Sequence, residues 1–179
     1  MAGTTGVARR GSTHAELLKL LSDLDELISE SDGLIRDLYR ADPVVQRLAS
    51  IPGIGKFLSV LIRFEIDDIE RFKDQSNLLA YAGLVPTTSS SGGKTRHGKL
   101  IKSSNHWLRW GLFEAVWPAI TADHWLRSIY DRNKKRKHTN IAKSVVAKKL
   151  LTLVYKVWKE ERNYLPVQPL RALPSVGQP

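Results

Sequence analysis

The chain has 179 residues, of which 42% are hydrophobic and 26% charged, so it is long enough for a helical arm and one compact domain. It has no cysteine, which excludes a disulfide framework, a thiolate nucleophile and a cysteine zinc site. The five histidines show no paired-ligand spacing, so no metal site is predicted in this chain. The sequence shows neither a signal peptide nor an apolar run that could span a bilayer. A cytoplasmic protein without a membrane partner is therefore predicted.

Charge is distributed unevenly along the chain. Residues 1–74 contain ten Lys/Arg and thirteen Asp/Glu, a net charge of −3, whereas residues 75–179 contain eighteen and five, a net charge of +13. Between Asp74 and Glu114 there is no acidic residue at all. A surface of this kind attracts a polyanion, because Lys and Arg side chains neutralise phosphates. The second part of the chain is therefore predicted to bind nucleic acid.

The N-terminal part predicts a helical arm. Residues 1–12 are predicted to be disordered, and Thr13 with Glu16 forms a capping-box pattern that predicts a helix start. Apolar residues then recur in steps of four and three, with one polar break. This seam consists of Leu17, Leu21, Leu24, Ile28, Ser31, Ile35 and Leu38. It could pack on the chain's own domain or pair with another chain, and we expect residues 13–41 to form a homo-oligomer.

A glycine-containing turn lies near the start of the compact domain, which is predicted over residues 42–164. Asp42-Pro43 predicts a helix start, and the short helix runs into Ile51-Pro52-Gly53-Ile54-Gly55-Lys56, after which a second helix begins. The pattern resembles a helix-hairpin-helix, in which backbone N–H groups hold a phosphate. Gly53, Gly55 and Lys56 are therefore phosphate-binding candidates. The alternative is a tight turn with Ile54 packed into the core.

The remaining elements are mostly helical. Ser76 is predicted to cap a helix that Gly83 ends, and Asp67-Asp68 is interpreted as a cap rather than a metal site. The fold class is mainly α: a helical arm and a compact helical domain with a helix-hairpin-helix-like turn and room for one small β-hairpin. The other predicted segments are strands at 85–88 and 99–102, a helix from Asn105 with a break near Pro118, helices at 122–130 and 140–161, and a disordered tail at 165–179. Helical spacing predicts buried residues in two of these helices. They are Leu108, Leu112, Ala115, Val116 and Ala119 in the helix from Asn105, and Ile141, Val145, Leu150, Leu153, Val154 and Val157 in the last helix.

Two further features bear on nucleic-acid binding. The basic run at 132–138 adds four phosphate-binding candidates, namely Lys134, Lys135, Arg136 and Lys137. Trp107, Trp110 and Trp117 recur at helical spacing. We interpret them as core or interface residues rather than as base-stacking platforms, because tryptophans at such spacing usually pack against protein.

A serine run beside two glycines is the candidate for chemistry. The sequence Ser89-Ser90-Ser91-Gly92-Gly93-Lys94-Thr95-Arg96-His97-Gly98-Lys99 lies within the acid-free segment. Glycines let backbone N–H groups approach an anion, and a serine hydroxyl becomes a useful nucleophile only with a base or a charge field. A flexible loop without chemistry is the alternative. The phosphate-binding candidates here are Gly92, Gly93, Lys94, Arg96, Lys99 and Arg109.

Five segments, in order, resemble the C-terminal domain of the IS110 (also IS116 and IS902) insertion-sequence transposases. They are Ile51–Gly55, Phe64–Phe72, Leu79–Pro86, Ser91–Lys94 and Leu108-Arg109. The resemblance covers roughly residues 45–120, and the basic C-terminal helix agrees with it. Ser103-Ser104-Asn105 departs from the family pattern, which usually has a glycine in that stretch.

The resemblance implies a DNA recombinase directed by a structured guide RNA. Such enzymes combine an acidic, magnesium-binding domain with a helical domain that carries a serine nucleophile directly before the glycines, here Ser91. It also implies a transient phosphoserine link to DNA and an active site shared between protomers. The acidic domain does not occur in this sequence, so the chain is expected to be a C-terminal part of a transposase. Magnesium is then expected only with that domain, and no cofactor in this chain.

The predicted function is DNA binding and strand transfer in insertion-sequence transposition. Two alternatives stay open: a non-catalytic nucleic-acid-binding relic, and an oligomerising regulator of a full-length transposase.

Overall fold

Helices make up most of the described structure, as predicted. The structure is a computed structural model that describes the backbone of residues 5–91, 94–100 and 104–166 and the side chains of residues 14–85 and 104–166. The elements are α1 (Thr5–Ala41), α2 (Pro43–Leu48), α3 (Lys56–Ile66), a 3₁₀ turn (Ile69–Arg71), α4 (Gln75–Tyr81), β1 (Pro86–Ser91), β2 (Lys94–Leu100), α5 (His106–Glu114), α6 (Val116–Ala122), α7 (His124–Lys134) and α8 (Thr139–Lys159).

The arm helix α1 extends away from the rest of the described domain. Residues 14–32 are all exposed, and α1 contacts α2 and α3 near its C-terminal end, where Tyr39 lies beside Lys56. The predicted start at Thr13 is wrong, because α1 already begins at Thr5. Disorder over residues 1–12 stays a prediction, and residues 1–4 lie outside the described residues. Ala8, Arg9 and Arg10 are good helix formers, so the helix continues through the capping-box pattern.

The heptad seam is not buried within the described residues. Along it and beside it, apolar side chains are between 40% and 67% exposed, and these are Leu17, Leu18, Leu20, Leu21, Leu24, Leu27, Ile28, Leu34 and Leu38. The structure therefore does not show this seam packed on the chain's own domain. Its pairing with another chain remains a prediction.

The core forms around α8, which contacts α2, α4, α5, α6 and α7. Its buried residues include Leu150, Val154 and Val157, as predicted. At its N-terminal end the prediction is wrong, because Ile141 is 48% exposed. The buried face there instead carries Ala142. A small side chain on this face suits close packing of α7 against α8.

Helix starts follow side-chain caps. Asp42 caps α2, as predicted, by accepting hydrogen bonds from the Val44 and Val45 N–H groups at 2.7 and 3.4 Å. Asp74, not Ser76, caps α4, because its carboxylate accepts from Ser76 N and Asn77 N. Gly83 follows α4 with φ +66°, which agrees with its predicted role as the helix terminator.

The helix break near Pro118 is confirmed. α5 ends at Glu114 and α6 begins at Val116, so Pro118 lies in the first turn of the new helix. Proline has no N–H to continue the hydrogen-bond ladder, and the first turn is the place where that donor is not needed.

The segment after α8 returns to the domain. Tyr164 donates its N–H to Ser50 Oγ at 2.8 Å and its hydroxyl to Asp123 Oδ2 at 2.7 Å. Asp123 is only 6% exposed and also caps α7 through Leu126 N. These bonds tie the end of the domain to α2 and α7. Residues 167–179 of the predicted tail lie outside the described residues.

The predicted β-hairpin is present. β1 and β2 pair antiparallel, with Ser91 opposite Lys94 and Ser89 opposite Arg96. The second strand begins at Lys94, earlier than the predicted residue 99, so the strands include most of the serine run and the cations that follow it.

Candidate nucleic-acid interface

The glycine-containing turn packs into the core through one of its two glycines. Ile51 and Ile54 are 1% and 2% exposed, which confirms that Ile54 is packed inside. Gly53 has φ +82°, and a Cβ added there would lie 2.3 Å from the Ala115 carbonyl oxygen and 2.7 Å from Ala119 N. The structure therefore explains Gly53 by close contact with the α5–α6 junction. A phosphate contact at this residue remains a prediction.

The other glycine faces open space. Gly55 is exposed, no heavy atom lies within 4 Å of a Cβ added to it, and it provides α3 with no side-chain cap. Lys56 follows as the first residue of α3, with Nζ 5.4 Å from the centre of the Tyr39 ring. The uncapped first N–H groups of α3 belong to the same exposed segment as Lys56, and a phosphate contact there remains a prediction.

Asn105 fixes the start of α5. Its Nδ2 donates to Glu65 Oε2 at 2.6 Å and to the Tyr81 hydroxyl at 3.0 Å, while its Oδ1 accepts from Leu108 N at 2.8 Å. The Tyr81 hydroxyl donates in turn to the Glu65 carbonyl oxygen at 3.1 Å. This network joins the ends of α3 and α4 to the beginning of α5. Sequence reasoning identified Asn105 only as a helix start, since Glu65 and Tyr81 are remote along the chain.

Arg109, one of the predicted phosphate cations, lies near this network. Its side chain is half-buried, and its Nη1 would be 3.0 Å from a Cβ added to Gly83. Ser104 Oγ would be only 2.4 Å from the same Cβ. The contact of Arg109 and Ser104 with the turn after α4 places both residues at the base of the hairpin.

The side chains of the predicted nucleophile and its neighbouring cations lie outside the described residues. For Ser91, Lys94, Arg96 and Lys99 the structure describes only the backbone, in β1 and β2. Gly92 and Gly93 lie outside the described residues.

The basic run connects α7 and α8. Lys134 ends α7, and residues 135–137 form an exposed turn before His138, whose Nδ1 accepts from Asn140 N at 3.3 Å and so caps α8. Lys143 is in the second turn of α8, with Nζ 4.8 Å from the centre of the Trp117 ring. The four predicted cations at 134–137 are therefore contiguous in space as well as in sequence.

Three tryptophans are exposed rather than buried in the core. Trp107 is 59% exposed, Trp110 38% and Trp117 49%. Trp110 contacts Phe57 and Trp107 edge to face, with ring centres 6.4 and 6.1 Å apart. Of the predicted roles, a core role is wrong for these residues, and an interface role stays a prediction.

The described acidic residues do not cluster. Within residues 14–85 and 104–166, no three His, Asp or Glu side chains come together as a metal-binding group. Asp68 accepts from Glu70 N and caps the 3₁₀ turn, as predicted, while Asp67 faces Arg63 at 3.9 Å. The same part of the chain holds no helix that is long and apolar enough to cross a membrane.

Comparison with known proteins gives a consistent family. A family model described as "Transposase IS116/IS110/IS902 family" matches residues 45–131. The chain is 26% identical over 170 residues to a 44.8 kDa protein of insertion element IS116 from Streptomyces clavuligerus, covering 92% of this chain and 42% of that protein. A 43.6 kDa protein of IS110 from Streptomyces coelicolor is 31% identical over 106 residues, which are 59% of this chain and 26% of that protein.

A third relative is a probable family 20 transposase from Pseudomonas aeruginosa, 25% identical over 167 residues, with 89% of this chain and 48% of that protein covered. The chain thus spans less than half the length of each of these relatives.

Proposed function

Since this chain belongs to the IS116/IS110/IS902 transposase family, we propose that it binds DNA and carries the serine nucleophile of strand transfer in insertion-sequence transposition. The observation that carries the proposal is the register of the hairpin. Ser91 ends β1 opposite Lys94, and Ser89 is opposite Arg96, so the serine run and the cation run are paired strands beside the two glycines. This juxtaposition supports a hydroxyl that meets a phosphodiester in a positively charged surrounding.

The proposed step is a transesterification. Oγ of Ser91 forms a bond to phosphorus, and the bond from phosphorus to one deoxyribose oxygen breaks. The serine proton passes to a base or to water, and the released strand end gains a proton, so no oxidant or reductant is needed. Negative charge develops on the phosphoryl oxygens, and the cations that follow the glycines stabilise it.

Magnesium and a guide RNA are the two further components to consider for this step. No step is assigned to magnesium, because no three acidic or histidine side chains come together among the described residues. If a magnesium-bearing acidic domain takes part, a full-length relative can supply it in trans. A structured guide RNA is an additional partner that follows from the family resemblance alone.

Covalent trapping tests the proposed nucleophile. We would incubate the chain with nicked or branched DNA and magnesium, with and without a full-length relative made inactive at its own serine. Adducts would be separated under denaturing conditions. We expect a protein–DNA adduct that Ser91→Ala abolishes and that the neighbouring controls Ser89→Ala and Ser90→Ala retain.

Two results would refute the nucleophile. An adduct that survives in Ser91→Ala would assign the bond to another residue. DNA binding without an adduct in any mixture would favour the non-catalytic nucleic-acid-binding module.

The exposed seam of α1 favours a second role, association with another chain. Leu24 and Ile28 are 45% and 58% exposed, although leucine and isoleucine at seam positions normally lie against a partner helix. Sedimentation at several concentrations, with Leu24→Asp and the off-seam control Asp25→Asn, tests it. We expect the wild type and the control to associate and Leu24→Asp to dissociate. If the wild type is a monomer at every concentration, self-association is excluded, and so is the alternative of an oligomerising regulator of a full-length transposase.

A further inference from the structure

The contact between α6, α7 and α8 contains an aromatic and cationic cluster that the proposed serine chemistry does not use. Trp117 is 49% exposed, and its ring centre is 5.6 Å from that of Tyr130, at an interplanar angle of 59°. Lys143 Nζ is 4.8 Å from the centre of the Trp117 ring, and Lys134 Nζ is 5.7 Å from that of Tyr130. Each ring of the Trp117–Tyr130 pair thus has one cation beside it, and the two cations come from different helices.

Tyr130 adds an independent observation. Its side chain is 2% exposed, yet its hydroxyl has no hydrogen-bond partner within the described part of the chain. Buried hydroxyl groups are nearly always hydrogen-bonded, and leaving one without a partner costs free energy. The hydroxyl is also out of contact with solvent, so a ligand at the exposed indole can bond it only after a covering side chain moves aside.

The charge around the cluster selects the class of ligand. Lys134 ends α7 directly before the exposed turn at 135–137, and Lys143 is in the second turn of α8. The adjacent carboxylate, Asp131, is engaged by Arg127 Nε at 3.1 Å. An aromatic face between cations is how proteins hold unpaired nucleotides, because the base stacks on the ring and the cations neutralise the phosphates that flank it.

From this geometry we propose that Trp117 stacks an unpaired nucleobase of single-stranded nucleic acid. The base takes the place of the Lys143 ammonium over the indole, and that flexible side chain moves to the adjoining phosphate. The basic turn holds the next phosphates, and the Tyr130 hydroxyl hydrogen-bonds the bound nucleotide once the side chains that cover it have moved aside. The inference rests on nucleic-acid binding by this chain, but not on Ser91.

Fluorescence anisotropy with two probes tests the inference. One probe is a labelled oligothymidylate of about twelve nucleotides, within the range of known single-strand site sizes. The other is a blunt duplex of the same length. Trp107→Ala is the matched control, because Trp107 is a tryptophan of similar exposure, 59% against 49%, on another helix.

We expect Trp117→Ala to weaken oligothymidylate binding about 5- to 150-fold, as for other stacking aromatic residues, and to change duplex binding less than about twofold. Trp107→Ala should leave both affinities unchanged. Trp117→Phe, which keeps an aromatic face, should retain most of the affinity. Trp117→Leu, which keeps an apolar side chain without that face, should lose it, and this comparison holds even where alanine disturbs folding.

Tyr130→Phe tests the hydroxyl separately. It should weaken oligothymidylate binding about two- to tenfold without lowering the thermal midpoint, since in the free protein the hydroxyl makes no described bond that could be lost. Unchanged binding in this variant would remove the hydroxyl from the site.

Several outcomes would overturn the inference. The first is the same affinity for oligothymidylate in Trp117→Ala and Trp107→Ala, and the second is an equal loss of oligothymidylate and duplex affinity in Trp117→Ala. The third is a change of sedimentation in Trp117→Ala with nucleic-acid binding intact, which would make this face a protein interface. If the wild type binds neither probe, nucleic-acid binding itself fails. If the wild type binds both probes and the Trp117 variants bind like the Trp107→Ala control, the stacking site fails but nucleic-acid binding does not.

Discussion

Gly53→Ala should destabilise the domain more than an ordinary glycine substitution. The added Cβ would lie 2.3 Å from the Ala115 carbonyl oxygen, 2.7 Å from Ala119 N and 2.8 Å from Ala119 Cβ. Two of these are backbone atoms of the α5–α6 junction, so no flexible side chain can move aside. The positive φ of +82° adds a second penalty, because a residue with a Cβ resists the left-handed region.

The magnitude follows from these two terms. A non-glycine residue at positive φ costs about 1–2 kcal/mol, and overpacking a close contact costs about 1–3 kcal/mol. Together they lower the free energy of unfolding by about 2–5 kcal/mol. For a chain of this size, each kcal/mol shifts the thermal midpoint by about 2–4 °C, so the expected decrease is roughly 4–20 °C.

Thermal unfolding followed by circular dichroism is the assay, and Gly55→Ala is its matched control. Gly55 belongs to the same turn, has φ −81°, and has no heavy atom within 4 Å of an added Cβ. Its substitution should lower stability by at most about 1 kcal/mol, because alanine is a poorer N-cap than glycine. Equal thermal midpoints for the two variants would refute the argument that Gly53 is required by packing.

A loss of duplex affinity in Gly55→Ala alone would assign the phosphate contact to the open side of the turn.

Three further results are expected. Asn105→Asp keeps the helix cap but sets a second carboxylate against Glu65, so urea unfolding should show it to be less stable than Asn105→Ala at neutral pH, and this order should reverse or vanish in acid. Tyr164→Phe leaves the buried Asp123 without one donor and should lower the free energy of unfolding by about 1–3 kcal/mol, whereas an unchanged value would show that water replaces the hydroxyl. Duplex affinity should fall with salt at a log–log slope of about 0.9 per phosphate contacted, and a flat response would contradict phosphate binding.

Local chemistry made several elements predictable from the sequence. Asp42 and Asn105 were identified as helix starts because a cap needs only its own side chain and the next few N–H groups. The break near Pro118 has the same local origin. The core stripe of Leu108, Leu112, Ala115, Val116 and Ala119 was also predicted, and each of these residues is 0% exposed.

Predictions failed where distant contacts decide. Whether Ile141 or Ala142 faces inward depends on how closely α7 approaches α8, and periodicity in a single helix leaves a rotation of this size open. The packing role of Gly53 depends on Ala115, which lies far along the chain. The contact of Trp117 with Tyr130 and Lys143 joins three helices, and a helical wheel drawn for α6 contains no sign of it.

The candidate site shows the same difference between local patterns and distant contacts. Its cations and its serine run could be recognised from composition and order, but the part of the molecule that positions them could not. Gly83 ends α4 shortly before β1, and Asn105 begins α5 shortly after β2, with Asn105 N donating to the Tyr81 carbonyl oxygen at 2.8 Å. Both ends of the hairpin therefore start from one hydrogen-bonded corner that also holds Arg109. A serine at the far end of such a hairpin is positioned by contacts at its base, so these contacts are expected to govern how the proposed nucleophile, Ser91, is presented.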